Sequence, residues 1–116
     1  MRRNSILLKI VKMTNLWYEY VSMDHHKDCD CHWYIQQDFA YGCKPTWSVY
    51  HFGYLYESKE VLAESYLDAL KKILVLIKKA FSKELSWALG ISKDYSKWDE
   101  YQVEKAKFAI KNFKNN

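Results

Sequence analysis

Apolar residues recur at Leu67, Leu70, Ile73, Leu74, Ile77 and Phe81. That is the i, i+3, i+4, i+7 spacing of one helical face, and it predicts a helix over residues 65–83. Ser65 stands at the N-cap position. Asp68, three residues later, supplies a capping partner and favourable negative charge in the first turn. Lys71, Lys72, Lys78 and Lys79 fill the other side. Burying each large apolar side chain is worth roughly 1.5–3 kcal/mol, so the stripe requires an apolar sheet to pack on.

Upstream, residues 6–13 carry two patterns at once. Ile6, Leu8 and Ile10 alternate as in a strand, while Leu7, Ile10 and Val11 fit a helical face. Thr14-Asn15 is a turn pair and favours a hairpin with residues 16–23, an aromatic and β-branched run that reads as strand. Residues 24–31 form a polar loop. His32–Tyr41 and Thr46–Glu57 read as strands flanking a turn at Gly42-Cys43-Lys44-Pro45, where Gly42 accepts positive φ and Pro45 holds Lys44 extended.

Symmetric closure of that hairpin pairs residues whose numbers sum to 86. Trp33, Ile35, Gln37 and Phe39 then share the core face with Trp47, Val49, His51 and Gly53. The other face carries His32, Tyr34, Gln36 and Asp38 against Thr46, Ser48, Tyr50, Phe52, Tyr54 and Tyr56. Residues 58–64 lead into the main helix, and residues 83–89 extend it or form a short second one. Gly90 is a C′ stop. Ser96 caps a last helix over residues 97–113, with Val103, Ala106, Ile110 and Phe113 as its apolar line. The pattern as a whole predicts an α+β fold. An antiparallel sheet of three to four strands is followed by two to three helices, the main helix packed on one sheet face.

Composition narrows the class. A chain of 116 residues is expected to form one domain, residues 1–116, able to bury roughly two thirds of its unfolded surface. An apolar content of 49% and an aromatic content of 17% argue against disorder. Net charge is +4, unevenly spread. Residues 1–65 carry 7 basic and 8 acidic side chains (−1), and residues 66–116 carry 11 and 6 (+5). Such a balance permits nucleic-acid contact without demanding it. Cys29, Cys31 and Cys43 make an odd count, unlike a secreted disulfide scaffold. Lys9 and Lys12 interrupt the first apolar run too early for a signal peptide, and Ile73–Ile77 is too short to span a bilayer. The expected compartment is a reducing cytoplasm.

Three groups of residues could carry chemistry. In the loop 24–32, Cys29 and Cys31 with one or two of His25, His26 and His32 are the ligand types of a tetrahedral zinc site. Their spacing is purely local, whereas structural zinc sites pair ligands from separated segments. Asp24, Asp28 and Asp30 with a histidine base are also the ingredients of a Mg²⁺- or Mn²⁺-dependent phosphoesterase. The plainer reading is a solvated acidic loop. His51, mid-strand on the core face, is either a base beside Gln37 or a hydrogen-bonded structural histidine.

The second group is the aromatic face: Tyr34, Tyr50, Phe52, Tyr54 and Tyr56, with His32 and Gln36. Stiff amphipathic rings suit protein interfaces and also stack bases, or a second structural layer covers them. The third group is Lys71, Lys72, Lys78 and Lys79, with Lys105, Lys107, Lys111 and Lys114, which would line a phosphate-binding groove or simply solvate a helix. Arginine, the better fork for phosphate, occurs only at Arg2 and Arg3. The chain lacks Gly-x-Gly, P-loop, Gly-x-Ser-x-Gly, His-Glu-x-x-His and Cys-x-x-Cys motifs. Were residues 6–13 helical, the order αβββα would be that of the double-stranded-RNA-binding domain. The lysine-rich start of that family's last helix is missing, since residues 65–70 hold no lysine, and no resemblance is drawn.

These features predict a small non-enzymatic binding module that occupies a macromolecular surface, protein or nucleoprotein. An anti-CRISPR-like inhibitor of the phage type is one concrete version. The alternatives are a nucleic-acid binder using the tyrosines and lysines, and a metal protein built on the 24–32 loop. Self-association into a homodimer through the tyrosine face is a further expectation.

Overall fold

A computed structural model of the chain describes residues 3–23, 32–38, 46–53 and 56–114. The chain opens with a helix, α1 (Arg3–Ser22). A three-stranded antiparallel sheet follows: β1 (His32–Asp38), β2 (Thr46–Gly53) and β3 (Tyr56–Ala63), in spatial order β1-β2-β3. The long helix α2 (Tyr66–Ile91), a short 3₁₀ turn at Tyr95–Lys97 and helix α3 (Glu100–Asn112) complete it. The class is α+β, and α2 packs across the sheet, as its apolar stripe requires.

The first expectation to fall is the N-terminal hairpin. Residues 6–22 are helix, and Thr14-Asn15 lies in mid-helix rather than in a turn. The buried residues Ile6, Ile10, Met13, Trp17, Tyr20 and Val21 recur at helical intervals over more than four turns. The alternation of Ile6, Leu8 and Ile10 spans too few residues to compete with that stripe. Leu8, which strand pairing would bury, is 70% exposed.

The β1–β2 hairpin forms, with Ile35 opposite Val49 and Gln37 opposite Trp47. Paired numbers sum to 84 rather than 86. A slip of two residues leaves every side chain on its expected face, because the side-chain period of a strand is also two. The predicted Gly42–Pro45 turn lies outside the described residues. Beyond β2, the expected single strand over residues 46–57 is instead two. The register shifts between His51 and Gly53, and Gly53 pairs with Tyr56. A glycine inside an apolar run marks a bulge or close turn. Residues 58–64 therefore belong to β3 and the connection after it, not to the main helix.

Helix α2 begins where its sequence signals place it. Ser65 is extended at φ −146°, and its hydroxyl accepts the Asp68 backbone N–H at 3.1 Å. The helix then runs past Gly90, which sits inside its last turn, to a C-cap at Ser92. The apolar stripe continues through Ala88 and Ile91, both buried, so packing carries the helix beyond the glycine. Ser96 does not cap α3. Asp94 accepts both the Ser96 N–H (3.1 Å) and the Ser96 hydroxyl (2.6 Å), holding the 3₁₀ turn. Asp99 is the N-cap of α3, and its N–H donates to Gln102 Oε1 at 3.2 Å.

The core has two parts joined by α2. At one end Ile35, Trp47, Val49 and Ala63 belong to the same apolar cluster as Leu70 and Ile73, and Trp47 meets Tyr66 edge-on at 5.4 Å. At the other end α1, α2 and α3 enclose a ring cluster. Phe81 stacks on Phe113 at 4.1 Å, Tyr20 meets Phe113 at 4.9 Å, and Trp17 lies 6.1 Å from Phe81. A 26-residue helix is about 39 Å long, long enough to serve both ends.

Candidate functional site

The sheet has one face committed to the helices. Val49 and Ala63 are fully buried on it, with Ile35 and Trp47 packed against the core, and α1 and α2 both approach from that side. Alternation places the even-numbered positions on the second face. Register rows there run Gln36–Ser48–Leu62 and Tyr34–Tyr50–Glu60, with His32 opposite Phe52. The extra β3 residue between Tyr56 and Lys59 reverses the alternation there, so Tyr56, opposite Gly53, takes the first face instead. Of the expected grouping, Tyr34, Tyr50 and Phe52 share this face in the register; Tyr56 leaves it because the bulge shifts its phase, and Tyr54 lies outside the described residues. Gln36 is exposed and Leu62 is 58% exposed, and the small Ser48 between them is buried. Helix α3 stacks on α2 and α1 rather than on this face. Among the described residues, no helix layers it.

The lysines divide. Lys72 bridges α2 to the sheet end: its Nζ donates to the Leu62 carbonyl at 2.6 Å and meets Asp68 Oδ2 at 3.1 Å. Asp68 also accepts the Glu64 N–H at 3.3 Å. The Lys72 hydrogen bond, then that backbone N–H, hold the Asp68 carboxyl below the usual aspartate range. Lys71, Lys78 and Lys79 are exposed, on the side of α2 turned away from the sheet. The second sheet face and these lysines therefore point in opposite directions. Lys105 is buried, its Nζ 4.3 Å from the centroid of the Tyr20 ring. That internal cation–π contact removes it from the proposed phosphate groove.

Of the metal candidates, His25, His26, Cys29, Cys31, Asp24, Asp28 and Asp30 lie outside the described residues, and His32 opens β1. Among the described residues, no group of three His, Cys, Asp or Glu side chains could hold a metal. His51 stands opposite Trp33, four positions along β1 from Gln37, so the register does not set the two side by side. No helix among the described residues is long and apolar enough to cross a membrane.

One surface went unread in the sequence. Between α1, Ile35 of β1 and the start of α2 lies an open groove of about 360 Å³, walled by Leu7, Val11, Tyr66, Leu70 and Ile73. Along it the Thr14 hydroxyl oxygen is buried with no hydrogen-bond partner among the described residues. The signal for this surface was the helical phase of α1, which strand pairing obscured. A second, shallower cleft of about 510 Å³ gathers Met23 and Tyr101 with Asp99, Glu100 and Glu104. Compared with protein-family models, curated proteins and solved structures, the chain matches none.

Proposed function

We propose that this chain is a small non-enzymatic binding module that acts by occupying the surface of a protein or nucleoprotein with the second face of its sheet. The observation that supports this reading is the one-sided placement of the helices: α1 and α2 cover the first face, α3 packs on them, and Leu62 stands 58% exposed on the second. Tyrosine positions 34 and 50 share that face, and tyrosine supplies large, stiff contact area at low entropic cost. Inhibition by occupancy, in the manner of a phage-type inhibitor, is one form such a module takes, and a reducing cytoplasm suits its cysteines.

The test uses photo-crosslinking residues placed singly at Gln36, Leu62 and Val75 of the full chain. Val75 is half-exposed on α2, away from the sheet. A discrete adduct from positions 36 and 62, absent from 75 and lost in Tyr50→Ala, supports the sheet face. Equal labelling from all three sites rejects it. A salt series on the captured complex separates partner classes: a nucleic acid loses affinity steeply with salt, an apolar protein interface does not.

A further inference from the structure

Helix α1 has two working faces. One carries Ile6, Ile10, Met13, Trp17 and Tyr20 into the core. The other carries Leu8, Val11, Asn15, Tyr18 and Ser22 at spacings of 3, 4, 3 and 4, the seam of a two-helix coiled coil. Leu8, Val11 and Tyr18 are 70%, 50% and 47% exposed, and Asn15 is exposed between them. Three large apolar side chains at seam spacing are not scattered surface residues; they form a stripe beside the groove walled by Leu7 and Val11.

We propose that this face of α1 pairs antiparallel with the same face of a second copy of the chain, about a two-fold axis close to Asn15. Charge complementarity selects both the occupant and its direction. Lys12 and Glu19 lie on one flank of the seam and are both exposed. Antiparallel pairing about residues 15–16 sets Lys12 of each copy opposite Glu19 of the other, twice over. Parallel pairing would turn both toward the uncharged flank of Leu7 and Thr14 and form neither pair. The two Asn15 amides meet near the axis, where each donates to the other's carbonyl, a polar pair that fixes register within an apolar seam. Tyr18 of each copy reaches Val11 and the groove mouth of the other. Every contact is made twice by the symmetry, as an isologous interface requires. The surface is distinct from the second sheet face, so a dimer would present two copies of that face.

Sedimentation equilibrium of the full chain over a roughly hundredfold concentration range reads this directly. The expected result is a concentration-dependent dimer that Val11→Glu reduces to a monomer with an unchanged circular dichroism spectrum. Lys12→Glu and Glu19→Lys, each alone, should weaken the dimer about tenfold by opposing like charges twice. An equimolar mixture of the two should dimerise like the wild type, because the heterodimer restores both pairs. A wild-type monomer throughout, a dimer indifferent to Val11→Glu, or a mixture no tighter than either single variant overturns the proposal. None of these outcomes bears on the sheet face, which Leu62→Lys tests separately.

Discussion

Gly90 lies in the last turn of α2 with open space where a Cβ would stand. Glycine there contributes nothing to packing and costs the unfolded chain its extra freedom. Gly90→Ala should therefore stabilise the protein by about 0.5–1 kcal/mol, read as a thermal midpoint raised by roughly 2–6 °C. Asp68 behaves differently because its benefit depends on charge. Its carboxyl is held below the ordinary range by Lys72 and by the Glu64 N–H. Stability from this group is present above the ordinary aspartate value of about 3.9 and disappears as pH falls through the lower folded value. Asp68→Asn should be less stable than wild type at pH 7, and the difference should close in acid. Urea denaturation at both pH values measures it, and a pH-independent difference would assign the effect to packing instead. Ser65 and Asp68 were readable from local sequence because capping is a matter of three or four adjacent residues.

Elements are held by their buried faces, and the two faces of the sheet predict opposite responses to the same change. Val49→Lys places an unpaired charge in the core and should prevent folding. Leu62→Lys, on the second face, should shift stability by less than about 1 kcal/mol. Equal sensitivity of the two sites in a thermal melt would mean that the second face is covered. In the helical end, Phe113 is buried against Phe81, Tyr20 and Trp17, so Phe113→Ala should cost about 3–5 kcal/mol. Tyr20→Phe keeps the ring and removes the hydroxyl that donates to Glu84 at 3.0 Å, a loss of about 1 kcal/mol. Helix α1 was misread at this scale. Its residues 16–23 have strand-like composition, and β propensity gives way wherever a continuous helical stripe finds a surface to pack on. The break between β2 and β3 escapes the sequence because one glycine in an apolar run does not distinguish a bulge from an uninterrupted strand.

At the scale of the molecule the chain is long rather than spherical. Its radius of gyration is 16.3 Å, with extents of 60 × 29 × 19 Å, against about 13 Å for a compact domain of this length. The sheet and the ring cluster sit in tandem along α2, which leaves three separate surfaces: the second sheet face, the seam of α1 and the lysine side of α2. A nucleic-acid binder using the tyrosines and lysines together would have to reach around the body. If binding to single-stranded nucleic acid is detected, Lys78→Ala with Lys79→Ala should lower its salt slope by about 1–2, while Leu62→Lys should leave it intact. Loss of binding in Leu62→Lys alone would place nucleic acid on the sheet instead.

The α+β class, the main helix with its Ser65 cap and the two faces of the β1–β2 hairpin follow from the order of residues alone. Each of these depends on short-range periodicity or on capping, which neighbouring residues settle among themselves, and a two-residue slip in register cannot disturb a period of two. Tertiary structure decided the rest. Whether residues 6–22 became helix or hairpin depended on the groove that α2 and α3 offered them. Whether Gly90 ended α2 depended on Ile91 finding a buried place. Whether the aromatic sheet face gained a second layer depended on α3 packing onto α1 and α2 instead. In all three the local pattern allowed two outcomes, and burial against a distant element chose between them.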